Sequence, residues 1–318
     1  MPKISLVVCV HREKELLERL LHYTQGCYDD LVVIHDGKEA GEPSWKPSAV
    51  IRELAIDWAN VPANSPIPDF FAKCQTPISP GSIRELVERY KGRFFEHPKV
   101  GSLEGQSPFA WWVAKYDWIL RLDADEFPSK PMADWLNSFR GLDPEAVREA
   151  SFSCIWPLWN GVRMTTRRWP LGRLFLFDRT RTHFFGLVEQ VPIIEGPNVP
   201  LPFILCHEPR RKSYGIRNIV FRRQAYIWRK VIAISLNRSP LDLPRWRISA
   251  LSWPNPWREK LVHPIRSALI SLFWYPLCQA RDMLRWEKKL DLSACLNPGL
   301  HHFLMQIEIV RQKYWPSP

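Results

Sequence analysis

Ile4 to Val10 is an almost unbroken apolar run rich in β-branched residues, the pattern of a strand covered on both faces. Leu16, Leu17, Leu20 and Leu21 then recur at helical spacing across Glu13 to Tyr23. Leu31 to Ile34 is a second buried-strand run, closed by His35-Asp36-Gly37. Strand, helix and strand in this length form a βαβ unit, which predicts a parallel sheet with helices on its faces.

The same patterning predicts helices over Ser48–Asn60, Ser82–Tyr90, Ser107–Ala114 and Ala133–Phe139, and strands over Arg93–Glu96 and Asp117–Leu122. Residues 60–81 are rich in proline and read as a loop or insertion. After Ser151 the texture changes to strands among Pro- and Arg-rich turns: Ser151–Trp159, Leu174–Phe177, Leu187–Ile194 and Phe203–Cys206. A basic helix is expected from Ile216 to Lys230. Pro244, Pro254, Pro256 and Pro264 mark residues 240–265 as a linker, and Ala268 to Trp315 reads as amphipathic helices. The expected organisation is one domain over 1–230, with a nucleotide-binding half (1–130) and an acceptor-side half (131–230), and a basic, aromatic helical extension over 231–318.

Charge sharpens this division. The 318 residues carry a formal net charge of +11; residues 1–150 are slightly acidic, and the excess of Lys and Arg lies behind them. A basic, Trp- and Phe-rich rear half suits anionic lipid headgroups, nucleic acid or a phosphorylated ligand; the bland alternative is a solvated basic surface. The seven cysteines are scattered, without CxxC spacing. They point to core thiols in a reducing, cytoplasmic compartment rather than to disulfides or a zinc knuckle. No signal-peptide pattern opens the chain. The longest apolar stretch, Ser267 to Cys278, is too short to span a bilayer and contains Pro276.

The chemistry concentrates at strand ends, where open α/β sheets bind ligands. The first carries His11, Arg12 and Glu13, the second His35 and Asp36, the third Asp123, Asp125 and Glu126. Three carboxylates within four residues are either a solvated turn or the seat of something cationic. Asp-Ala-Asp after a buried strand supplies hard oxygen ligands for Mg²⁺ or Mn²⁺, ions that commonly hold phosphates through one or two carboxylates.

ISLVVCVHREKELLERLL, LVVIHDG and YDWILRLDADE together resemble the inverting family 2 glycosyltransferases with the GT-A fold, within them the branch that builds lipopolysaccharide cores and other surface glycans. The similarity continues through RRWPLGRLFLF, FFGLVEQ, ILCHEP and SYGIRNIVFRRQAYIW, over about residues 3–230. The resemblance implies a Rossmann-like, mostly parallel α/β sheet flanked by helices. It implies a nucleoside-diphosphate sugar as donor, a divalent metal and a glycan or lipid-linked acceptor. Asp36 would contact the nucleotide base, with Glu13 and the backbone near Val10 lining that pocket. Asp123 would contact the ribose or metal side, Asp125 would coordinate the metal, and His207 would be a further metal or diphosphate ligand. Glu189 would take the acceptor's proton. Two departures stand out. Leu187-Val188-Glu189 lacks the histidine that often precedes this glutamate, and Glu104-Gly105-Gln106 stands where Arg or Asn is common.

Inverting transfer independently requires a carboxylate base and positive charge at the leaving diphosphate. Arg210, Arg211 and Lys212, or Arg222 and Arg223, can supply that charge, or else form a solvated or membrane-facing patch. The expected protein is a cytoplasmic enzyme, peripheral on the inner face of the membrane through its rear helices. The competing readings are a nucleic-acid-binding protein using the Arg/Trp-rich rear half, against which no recognisable motif appears, and a non-catalytic relative.

Overall fold

The computed structural model describes residues 1–11, 13–35, 81–96, 106–156, 158–159, 164–166, 173–183, 192–207, 220, 263–286, 290 and 292–315. Strand β1 (Ile4–Val10) leads through helix α1 (Lys14–Tyr23) to β2 (Asp30–His35), which pairs parallel with β1, Leu6 opposite Leu31. Helix α2 (Ile83–Arg89) starts at a capping box: Glu85 N donates to Ser82 Oγ (3.2 Å) and Ser82 N to Glu85 Oε2 (3.0 Å). Strand β3 (Arg93–Glu96) then adds parallel to β2. After α3 (Ser107–Val113) the chain reverses course, and β4 (Trp118–Arg121) pairs with the other side of β1. The sheet therefore grows outward from β1 in one direction, then in the other.

The remaining strands among the described residues are β5 (Glu126–Pro128), β6 (Ser151–Ile155), the pair β7 (Leu158–Trp159) and β8 (Met164–Thr166), β9 (Arg173–Asp178), the pair β10 (Thr182–His183) and β11 (Ile193–Ile194), and β12 (Asn198–His207). Helix α4 (Lys130–Arg140) follows β5. The described main sheet has eight strands in the order β3-β2-β1-β4-β9-β6-β12-β5. Strand β9 runs antiparallel to both β4 and β6; β12 is parallel to β6 and antiparallel to β5. This is the expected mostly parallel, Rossmann-like sheet flanked by helices, with a GT-A-like order. Two core layers sandwich it. Leu6, Val8, Val10 and Leu120 pack with the leucines of α1 and with Leu136 and Phe139 of α4; Val7, Val32, Ile34 and Ile119 pack with Trp111 of α3.

Asp29, at the entry to β2, ties the bottom of the sheet together. Its carboxylate accepts from Ile4 N (3.0 Å) and from Arg140 Nε (3.0 Å) and Nη2 (2.6 Å), and Arg140 also donates to Gly26 O. Burial pushes the Asp29 pKa up, but the Arg140 and Ile4 hydrogen bonds outweigh it and hold it below the usual value. A depressed carboxylate contributes stability above its unfolded-state pKa, which is lost as pH falls through the folded-state value. Asp29→Asn is expected to cost about 1–2 kcal/mol near pH ~7, with the gap to wild type closing below pH ~4. Urea melts across that range check this; a gap that stays constant would contradict it.

Helices α5 (Pro264–Trp286) and α6 (Leu292–Tyr314) form the expected helical extension. The predicted helices over Ser48–Asn60 and Ile216–Lys230 (Val220 apart), the Pro-rich 60–81 segment up to Pro80 and the 230/231 domain boundary lie outside the described residues.

Candidate functional site at the carboxyl edge of the sheet

Strand order reverses between β1 and β4, and at such a switch point the loops leaving the two carboxyl ends part company and open a crevice. The acid turn sits there. Leu122 N still reaches Val7 O (3.5 Å), and the chain then turns through Asp123-Ala124-Asp125. Glu126 closes the turn twice: its N–H donates to Asp123 O (2.9 Å), and its Oε2 accepts from Asp123 N (2.8 Å). Its side chain is fully buried, whereas Asp125 is half-buried and the Asp123 side chain is 53% exposed.

The turn also forces the sheet to curl. In sheet order β5 lies four strands from β4, ~19 Å across a flat sheet. The five Cα steps from Arg121 to Glu126 reach at most ~18 Å when extended, and these are folded into a turn. Strands β4-β9-β6-β12-β5 must therefore bend round a common centre.

A guanidinium occupies that centre. The β4–β9 ladder pairs Trp118 with Asp178 and Leu120 with Leu176; extended past β4, the same register sets Asp123 opposite Arg173. Arg173 Nη2 donates to Asp123 Oδ2 (2.6 Å) and to Glu126 Oε2 (3.1 Å), and its Cζ lies 5.6 Å from the Trp156 ring centroid. Burial works against its charge, but Glu126 and Asp123 overcome this and raise its pKa above the usual arginine value.

The neighbouring strand ends are stitched to each other. His35 Nε2 donates to His11 O (2.8 Å), joining the ends of β2 and β1. Glu13 Oε2 accepts from His11 N (2.9 Å), which fixes the β1–α1 connection. Val10, the last residue of β1, is fully buried and pairs with His35 of β2.

Strand β12 runs in the same direction as β4, so His207, its last residue, reaches the same edge, opposite Glu126 in the β5 ladder. Val10, Glu13, Asp123, Asp125 and the His207 backbone thus share the carboxyl edge. Asp36, Glu189, Arg210 and Arg211 lie outside the described residues, as do Arg12, Lys212, Arg222 and Arg223, and the His207 side chain. Sequence reasoning missed Arg173. Its signal was the arginine that opens the apolar run RLFLFD, 50 residues along the chain from the Asp123 it meets.

The donor set bears on a cation. Among the described residues no three His, Cys, Asp or Glu side chains come together as a metal cage. Burial pushes the Cys206 thiol up to about 12 and Cys154 well above its usual value, so neither offers a thiolate near neutral pH. What remains among the described residues is a pair of hard carboxylates, Asp123 and Asp125, on one turn. This fits a divalent ion that arrives with phosphates and completes its shell with them, not one held by protein alone.

Fold and turn together define an α/β protein with an acidic turn at a sheet switch point. No family model matches the chain, and no curated protein does. Two solved structures of S. aureus TarS are similar to it at 11% identity. One has a TM-score of 0.35 over 96% of this chain and 54% of that one. The other, TarS 1-349, has 0.36 over 98% and 91%. The chain therefore spans about half the length of the first. Sheet order and register, not this likeness, define the fold.

Proposed function

We propose that the chain is a metal-dependent inverting glycosyltransferase, moving a sugar from a nucleoside-diphosphate donor to a glycan or lipid-linked acceptor in surface-polysaccharide synthesis. The observation that carries this reading is the position of Asp123 and Asp125 at the β1–β4 switch point, the usual ligand crevice of such sheets.

Asp125 and Asp123 hold the Mg²⁺ or Mn²⁺ side of the donor, with His207 as a further ligand. Arg173 fixes the Asp123 carboxylate through the 2.6 Å contact. Asp36, Glu13 and the Val10 backbone line the base and ribose pocket, and Arg210 and Arg211 face the diphosphate. The acceptor oxygen forms a bond to the anomeric carbon as the bond to the diphosphate breaks. That electron pair leaves with the diphosphate, and the acceptor proton goes to Glu189. A bound divalent ion supplies positive charge to the leaving group.

A thermal-shift panel of nucleoside-diphosphate sugars, with Mn²⁺ or with chelator, tests the reading. At least one donor is expected to raise the melting temperature, more so with Mn²⁺. Glu189→Gln should keep that shift while transfer is lost. No shift with any donor would overturn the proposal.

A further inference from the structure

Helix α5 of the C-terminal hairpin is built inside out. Helices α5 and α6 approach closely where Gly299 faces Ser271: a Cβ at Gly299 would lie 2.7 Å from Ser271 O and from Pro276 Cδ. Tyr275 and His302 stack with centroids 4.7 Å apart, and Cys295 Sγ lies 3.5 Å from Met283 Sδ. The residues α5 buries are mostly small or polar: Ser267, Ala268, Ser271 and Gln279, with Met283.

Its opposite half is apolar and exposed. Ile265, Leu269, Phe273 and Leu277 follow one another at intervals of four, with Ile270 and Trp274 as a second ridge beside them. Phe273, Trp274 and Leu277 are 65%, 62% and 64% exposed. A helix of a water-soluble domain normally turns its apolar stripe to the core; this one turns it outward. Large side chains outside and small or polar ones between helices are the arrangement met where the surroundings are themselves apolar.

We propose that this face of α5 docks onto an anionic lipid bilayer, lying in the interface plane. Charge selects this occupant over a second copy of the chain. Arg266 and Arg281 are exposed on the same half-cylinder, at its two ends, ~22 Å apart along the axis. In a dry protein interface both would be desolvated. At a bilayer their long stems lie over the acyl boundary while the guanidinium groups reach lipid phosphates. Trp274, midway between them along the helix, has the amphipathic ring that settles at headgroup level. Lys288 and Lys289 follow α5 in sequence, and the whole chain is basic, with a sequence pI of about 9.4. No described helix is long and apolar enough to cross a membrane; arginines at both ends of the exposed face fit a helix lying flat.

The test is flotation of the full chain with vesicles of phosphatidylcholine alone and with added phosphatidylglycerol, alongside sedimentation without lipid. The wild type is expected to float with the anionic vesicles. Partition should fall at least tenfold in Phe273→Ser/Trp274→Ser, whose circular dichroism should match wild type because both residues are exposed. Arg266→Gln/Arg281→Gln should erase the preference for anionic over neutral vesicles. Leu277→Ser, on the same face, gives the same reading if the double variant loses helix. Absence of flotation with anionic vesicles overturns the proposal. So does a concentration-dependent dimer in water that the Phe273/Trp274 variant abolishes, which would assign the face to a second copy.

Discussion

Arg173→Met is expected to lower the folding free energy by about 3–5 kcal/mol, because it strands a buried carboxylate. Glu126 is fully buried, and its Oε2 accepts both the Arg173 guanidinium and Asp123 N. Without Arg173 the Glu126 charge keeps the backbone hydrogen bond but loses the guanidinium 3.1 Å from its Oε2 while its own side chain stays buried. The fall in melting temperature should be on the order of 10 °C. Arg173→Met/Glu126→Gln should recover much of the loss, since the neutral amide needs no counter-ion. Chemical denaturation of the two variants beside wild type checks this. A single variant within about 1 kcal/mol of wild type would mean that Arg173 sits at the surface of the curl rather than at its centre.

Asp125→Ala is expected to do the reverse: to spare the fold and remove the activity. Asp125 is half-buried on the turn, and closure of the turn runs through Glu126 and Asp123. Its loss should cost the fold less than Arg173→Met does. On the proposed reading Asp125 holds the divalent ion that neutralises the leaving diphosphate, so its loss should cost transfer at least ~10³-fold, about 4 kcal/mol of barrier. Asp123→Asn provides the contrast. It weakens the 2.6 Å pair with Arg173 as well as the site, so activity and stability should both fall. Initial rates of donor consumption, paired with thermal melts, separate the two. Equal activity in Asp125→Ala and wild type would place the donor elsewhere.

Local pattern revealed a good part of this architecture. The apolar run from Ile4 to Val10 is β1 to the residue, and the α1 leucines are buried as their spacing required. The acid turn follows its strand as expected, because a strand's end and a turn are local properties. The rest needed contacts between distant segments. Arg173 meets Asp123 through the antiparallel ladder of β9 with β4, and nothing within RLFLFD specifies that register. Glu126 read only as one of three acids on the turn, because its burial depends on the curl and on β12 pairing with β5. Strand β12 was expected only from Phe203, since Pro200 and Pro202 discourage a strand. The structure carries it from Asn198 and shifts register between Pro200 and Ile204, where proline offers no N–H to the ladder. Helix α4 runs from Lys130 rather than Ala133 because Pro131 fits a first turn. The α5 periodicity was legible, but which half of it faces outward was not, since a stripe at helical spacing is the same stripe whether it meets a core or a membrane.

Calorimetric titration of a nucleoside diphosphate into wild type and Asp125→Ala, each with Mn²⁺ and with chelator, bears most directly on the acid turn as a cation-mediated diphosphate grip. Wild type should bind at least ~10-fold more tightly with Mn²⁺, about 1.4 kcal/mol, and folded Asp125→Ala should bind equally weakly in both conditions. The same Mn²⁺ gain in both proteins would contradict it.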